Sequence, residues 1–145
     1  MKRFSRYVCM LLVVAILLSV PVFAQEEATP WSSAYFSSHL EYLYEISTIK
    51  FEVWFDVIAK RIMDELGAST IKVQRSANGE TGWETMKTYN MADYSQMICE
   101  NTGSHVGCVT YTGTPGYYYR AKITYYAKEG GGIGYYSAYT SVIQL

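Results

Sequence analysis

The chain has 145 residues, half of them hydrophobic, with 12 basic against 13 acidic side chains and a formal charge of −1. That length suits one small domain and is too short for two ordinary ones. The near-neutral balance, with no Lys/Arg cluster along the chain, argues against nucleic acid or an anionic membrane as the main partner, because both reward a basic face.

Met1-Lys2-Arg3-Phe4-Ser5-Arg6 is a basic stretch ahead of an apolar run from Val8 to Val20, and Pro21-Val22-Phe23-Ala24 supplies small residues for cleavage before Gln25. This is the pattern of a secretory signal peptide, and the run is shorter than the roughly 20 residues that span a bilayer. Residues 1–24 are therefore read as a cleaved signal, residues 25–36 as a flexible polar leader and residues 37–145 as the folded domain. Loss of Lys2, Arg3 and Arg6 takes the formal charge from −1 to −4.

From the leader onward the dominant period is two, which predicts strands. Leu40, Tyr42, Tyr44 and Ile46 alternate with His39, Glu41, Leu43 and Glu45. Ile49, Phe51, Val53, Phe55 and Val57 alternate with Lys50, Glu52, Trp54, Asp56 and Ile58. Residues 59–68 suit a helical turn ended by Gly67, with Ile62, Met63 and Leu66 plugging one end of the core. Strands follow at 70–75 and 83–89, joined by a turn containing Asn78-Gly79 and Thr81-Gly82. An irregular crossing segment then covers 90–103. Further strands are expected at 105–111, 117–127 and 135–145, the last two joined by a glycine-rich tip at 128–132. About seven short strands with these turns predict an all-β domain, a single antiparallel immunoglobulin/fibronectin-III-like β-sandwich.

Cys9 leaves with the signal and stands at the start of its apolar run rather than after it, so it is not a lipoprotein acylation site. Cys99 and Cys108 remain, an even pair in an exported chain, and a disulfide is the expectation. Closing so short a loop contributes about 2–3 kcal/mol in the chain-entropy picture. The alternative, a pair of redox-active thiols, lacks close C-x-x-C spacing and basic neighbours. His39 and His105 stand in no ligand spacing with the cysteines.

Pro115-Gly116-Tyr117-Tyr118-Tyr119-Arg120-Ala121-Lys122-Ile123 resembles the turn and sixth strand of a fibronectin type III domain. Ile71 to Ser76, leading through Asn78-Gly79 into Trp83-Glu84-Thr85-Met86, resembles a hairpin of the same family. The resemblance implies that Tyr119 is a corner tyrosine, its ring in the core and its hydroxyl bonded to an upstream backbone group. The chain also resembles small exported proteins of unknown function from Gram-positive bacteria. There, a turn like Leu66 to Ser69 precedes the third strand and residues like Gly116 to Ala121 open the sixth. Neither resemblance brings an activity.

No nucleophile, base and orienting group stand together in sequence, and no carboxylate pair announces itself, so an enzyme is not expected and no cofactor or metal is implied. Tyrosine is the compositional oddity, with fifteen residues, eight of them between Tyr117 and Tyr139. Tyr117, Tyr119 and Tyr125 are expected to point inward. Tyr118, Arg120, Lys122, Thr124 and Tyr126 are expected to point outward, beside Lys72 and Gln74 and with Tyr136 across the hairpin. Flat rings beside hydrogen-bonding side chains suit protein hot spots and sugar stacking alike. The candidate binding face is therefore Tyr118, Arg120, Lys122, Tyr126 and Tyr136, with Trp54 on the other sheet. The expected partner is an extracellular protein or glycan, bound by a released, non-enzymatic module. Leu145 completes a strand with no sorting signal or basic tail after it.

Overall fold

The computed structural model describes residues 34–145, which form one antiparallel sheet of seven strands. The strands are β1 (Phe36–Ser47), β2 (Lys50–Ser76), β3 (Glu84–Asn90), β4 (Ile98–Thr112), β5 (Tyr118–Glu129), β6 (Gly132–Tyr139) and β7 (Ile143–Gln144), with one 3-10 turn at Ser95–Met97. The signal at 1–24 and most of the leader lie outside the described residues.

β2 organises the rest. Its 27 residues would reach about 90 Å if straight, far beyond a compact chain of this size, and it pairs with four other strands. Its first half runs between β1 and β4, and its second half between β3 and β5. The bend falls at 59–62. In the β2–β4 ladder Ile58 faces Ser104 and Met63 faces Thr102, so β2 takes five steps while β4 takes two. Alternation of burial breaks there as well: Lys60, Arg61 and Ile62 are exposed in succession between buried Ala59 and Met63.

The helical turn expected at 59–68 is therefore absent, and the segment is strand. Its backbone groups are engaged on both sides, since Glu65, Leu66 and Gly67 face Glu100, Cys99 and Ile98 of β4 and also Lys128, Ala127 and Tyr126 of β5. Two ladders outweigh a local helical preference. Met63 and Leu66 do enter the core, but Ile62 is 69% exposed.

The bend brings the inner faces of the two halves together. Phe51, Val53, Phe55 and Val57 from the first half are fully buried, as are Ile71 and Val73 from the second and Ala121, Ile123 and Tyr125 from β5. The Phe51 ring lies 5.3 Å from Tyr119, and Phe55 meets Tyr125 edge-on at 6.4 Å. Burial of each such side chain stabilises by about 1.5–3 kcal/mol. The bend is also fastened to the β5–β6 tip. Arg61 pairs with Glu129, Asp64 accepts the Gly130 N–H at 2.6 Å, and Lys128 binds Glu65 at 2.6 Å.

Two further expectations change. Strand structure begins at Ile98, within the stretch read as irregular, so Cys99 and Cys108 both lie on β4, nine residues apart. They pair with Leu66 and Trp54, on opposite sides of the β2 bend, and both are free, half-buried thiols. Nine residues of strand hold the Cα atoms much farther apart than the roughly 7 Å a disulfide spans. The expected last strand is split: β6 ends at Tyr139, and β7 pairs separately with Tyr118 and Tyr119 at the start of β5.

Gly67, just past the bend, makes a very close backbone approach to Met97. Its φ is +156°, and a Cβ there would overlap the Met97 carbonyl oxygen, a backbone atom with no rotamer to escape into. Gly67→Ala is predicted to destabilise the domain by about 2–4 kcal/mol through strain and overlap. Urea unfolding checks this, with Gly116→Ala, also at positive φ but with open space around it, as the milder comparison.

Candidate functional site

Tyr119 behaves as expected of a corner tyrosine. Its ring is 1% exposed, its hydroxyl oxygen accepts the Thr114 N–H at 2.7 Å, and the hydroxyl donates to the Thr114 carbonyl at 3.3 Å. Tyr125 is also inward, and Tyr117 is half-buried against the core, with the Arg75 guanidinium 4.4 Å from its ring centre.

Only part of the expected outward face is assembled. Arg120 and Lys122 lie on it, beside Gln74 and Lys72 of β2, and Tyr118 lies half-buried against Gly79 of the β2–β3 turn. Tyr126 is buried instead. After a register shift in the β2–β5 ladder it faces Gly67, which has no side chain to hold the ring off the sheet. Its hydroxyl donates to Glu65 at 3.1 Å. Tyr136 is on the other face altogether, because the hairpin register sets it opposite inward Tyr125, with the two rings stacked at 6.4 Å and 15°. Tyr118, Tyr126 and Tyr136 therefore form no coplanar set.

What stands on this face is a sandwich that sequence reading missed. The Arg120 guanidinium lies 4.3 Å from the Trp83 ring and 4.4 Å from Tyr139, and its Nε donates to Gln74 at 2.8 Å. Trp83 precedes β3 and Tyr139 ends β6, so the contact crosses four strands. No local pattern in the sequence brings Trp83, Arg120 and Tyr139 together. One step along, Lys72 faces Lys122 directly, and Lys122 faces Tyr139.

The other outer surface is formed by β1, the first half of β2 and β4. The register sets His39, Glu41, Leu43 and Glu45 opposite inward Val57, Phe55, Val53 and Phe51. Opposite residues of an antiparallel pair share a face, so the apolar set Leu40, Tyr42, Tyr44 and Ile46 faces solvent. Leu40 is 57% and Tyr44 59% exposed, and Val106 on β4 is 53% exposed. Trp54 stands on the same face, facing Tyr42 and Cys108, with its indole N–H on Glu52 at 2.8 Å. The Tyr42 and Trp54 rings are parallel within 2°, with centres 6.2 Å apart.

The histidines have structural partners. His39 meets Glu41 at 2.8 Å and packs on Tyr125 and Tyr136, while His105 meets the Gln96 carbonyl at 2.9 Å. The Tyr125 hydroxyl donates to Glu41, and burial followed by that carboxylate pushes its phenol far above the usual range. Among the described residues no cluster of three or more His, Cys, Asp or Glu is placed to hold a metal ion. No family model, curated protein or solved structure matches the chain.

Glu65 gives the fold a pH signature. Hydrogen bonds, first from Lys128 and then from Tyr126, hold its carboxyl below the ordinary 4.5, against the opposing effect of burial. A folded-state value below the unfolded one means this contribution is present above 4.5 and is lost as the pH falls through the folded value. Glu65→Gln is predicted to flatten that part of the acid-side decline, measured as urea midpoints between about pH 6 and pH 3.

Proposed function

We propose that the chain is an exported, released, non-enzymatic binding module of immunoglobulin/fibronectin-III-like build that engages an extracellular protein through the outer face of β1, β2 and β4. One observation carries the reading: Leu40, Tyr42, Tyr44 and Ile46 of β1 face solvent while His39, Glu41 and Leu43 lie on the core side. A contiguous apolar surface is costly to leave in water and marks interaction sites in soluble proteins. Trp54, the Tyr pair and flanking Glu52 and Asp56 give it the aromatic centre and polar surround of a protein interface. Support for the sandwich reading comes from the Tyr119 corner and the facing inner halves of β2.

A second reading, a carbohydrate-binding module, is favoured by the parallel Tyr42 and Trp54 rings. Sugar rings stack on such a platform while carboxylates at its margin accept their hydroxyls.

The two readings separate on one experiment. Wild type, Leu40→Asp/Tyr44→Asp and Trp54→Ala are compared for capture of secreted and surface proteins from the source organism, and on a glycan array. The first reading predicts a defined protein partner lost in Leu40→Asp/Tyr44→Asp at unchanged melting temperature. Glycan retention lost in Trp54→Ala would transfer the site to the second reading. Equal behaviour of all three proteins would remove the face from both.

A further inference from the structure

The outer face of β1, β2 and β4 is built symmetrically about a central row. Leu43, Val53 and Val109 stand side by side across the three strands, with their side chains on the core side. The outward residues lie in pairs at equal steps to either side of that row. On β1 these are Tyr42 and Tyr44, then Leu40 and Ile46. On β2 they are Trp54 and Glu52, then Asp56 and Lys50. Aromatic answers aromatic on β1, aliphatic answers aliphatic, and on β2 the outermost pair is of opposite charge.

The fold leaves that last pair of charges unused. Among the described residues neither Lys50 nor Asp56 makes a salt bridge. Asp56 stands between Leu40 and Val106, which are 57% and 53% exposed. A partner that covers those two side chains also covers the carboxylate, and a covered carboxylate needs a cation beside it. Lys50 cannot supply one within its own molecule, because six residues of strand separate the two by about 20 Å. Glu52 is differently placed, since it already accepts the Trp54 indole N–H at 2.8 Å.

We infer that a second copy of this chain covers the face, packed sheet to sheet about a two-fold axis over the Leu43–Val53–Val109 row. Such a dimer presupposes the interaction surface proposed above and gives it an occupant. In an isologous interface every contact of one residue with another occurs twice. An axis crossing the strands at this row runs the two β2 strands antiparallel, so Lys50 of each copy meets Asp56 of the other. The same axis sets Leu40 over Ile46 of the other copy and Tyr42 over Tyr44. An axis along β2 would stack Asp56 on Asp56, and one over the Trp54 row would set Asp56 on Glu52. Charge therefore selects the register. Nine residues of three strands cover about 30 by 16 Å, so the pair buries about 1,000 Å², the lower bound of a specific interface. That size fits a reversible dimer rather than an obligate one.

The test is sedimentation equilibrium over a range of protein concentrations, with wild type, Lys50→Asp, Asp56→Lys and the combined Lys50→Asp/Asp56→Lys. The expected result is a reversible monomer–dimer equilibrium in wild type and at least a tenfold higher Kd in each single variant. The combined variant exchanges the two charges and regains a Kd close to that of wild type. An equimolar mixture of the two single variants dimerises more tightly than either alone, because each supplies the charge the other lacks. A substitution that only disturbed the fold would not be rescued in either way. Without any substitution, alkylation of Cys108, beside Trp54 on this face, slows as wild type is concentrated, while Cys99, opposite Leu66 beyond the bend, keeps its rate. A wild type that stays monomeric, a dimer whose Kd no charge variant changes, or a combined variant no tighter than the single ones would each overturn the inference. In those cases capture by wild type and Leu40→Asp/Tyr44→Asp separates the two claims. Loss of a different protein in that variant overturns the second copy alone, and unchanged capture overturns the interaction face with it.

Discussion

The fold depends on the bend in β2. One strand of 27 residues contributes to both halves of the sheet, and the core exists only because the strand turns back on itself at 59–62. Everything near the bend serves to hold it. Gly67 lets the Met97 backbone approach, Met63 and Leu66 fill the inside, and three polar contacts tie the outside to the β5–β6 tip. The polar contacts are exposed and individually weak. The buried residues and the two ladders at 65–67 supply most of the constraint.

Curling one sheet gives it a single inside and two outsides, and the outsides differ in chemistry. The outer face of β1, β2 and β4 is apolar and aromatic, with Glu52 and Asp56 as its charges near Trp54. The outer face of β3, β2, β5 and β6 is basic and aromatic, with Arg120 locked between rings. Neither face owes its composition to the core. Each is built on paired strands, which hold side chains more rigidly than loops do, and that rigidity suits recognition surfaces.

Much of the fold was legible where the local pattern and the pairing agree. The alternation at 51–57 marked the inner face of β2, and Tyr119 buries its ring with its hydroxyl on the Thr114 backbone. At 40–46 the same rule leaves the inner face undecided. Alternation separates two faces but does not say which is inside, and a shift of one residue exchanges them. Here the β1–β2 hairpin register, with irregularities at Phe36/Ser38 and Glu45/Ser47, turned the apolar set outward. Residues 59–68 read as helix because Ile62, Met63 and Leu66 have helical spacing, whereas ladders from β4 and β5, both distant in sequence, decide the matter. The disulfide expectation rested on an even pair of cysteines in an exported chain, whereas Cys99 and Cys108 lie nine residues apart on one strand. Tyr126 and Tyr136 were misplaced by a shift near Gly67 and by the hairpin register. The Trp83–Arg120–Tyr139 sandwich needed the strand order, which no local pattern contains.

The central claim is that β1 turns Leu40, Tyr42, Tyr44 and Ile46 to solvent. Hydroxyl-radical footprinting read residue by residue tests it most directly, using Tyr119 and Tyr125 as buried references within the same molecule. Fast oxidation of Leu40, Tyr42, Tyr44 and Ile46, with Leu43 slower and Tyr119 and Tyr125 protected, is the predicted result. Protection of Leu40, Tyr42 and Tyr44 to the level of Tyr125 in the monomer, with Leu43 reactive, would mean the opposite register and would contradict the account.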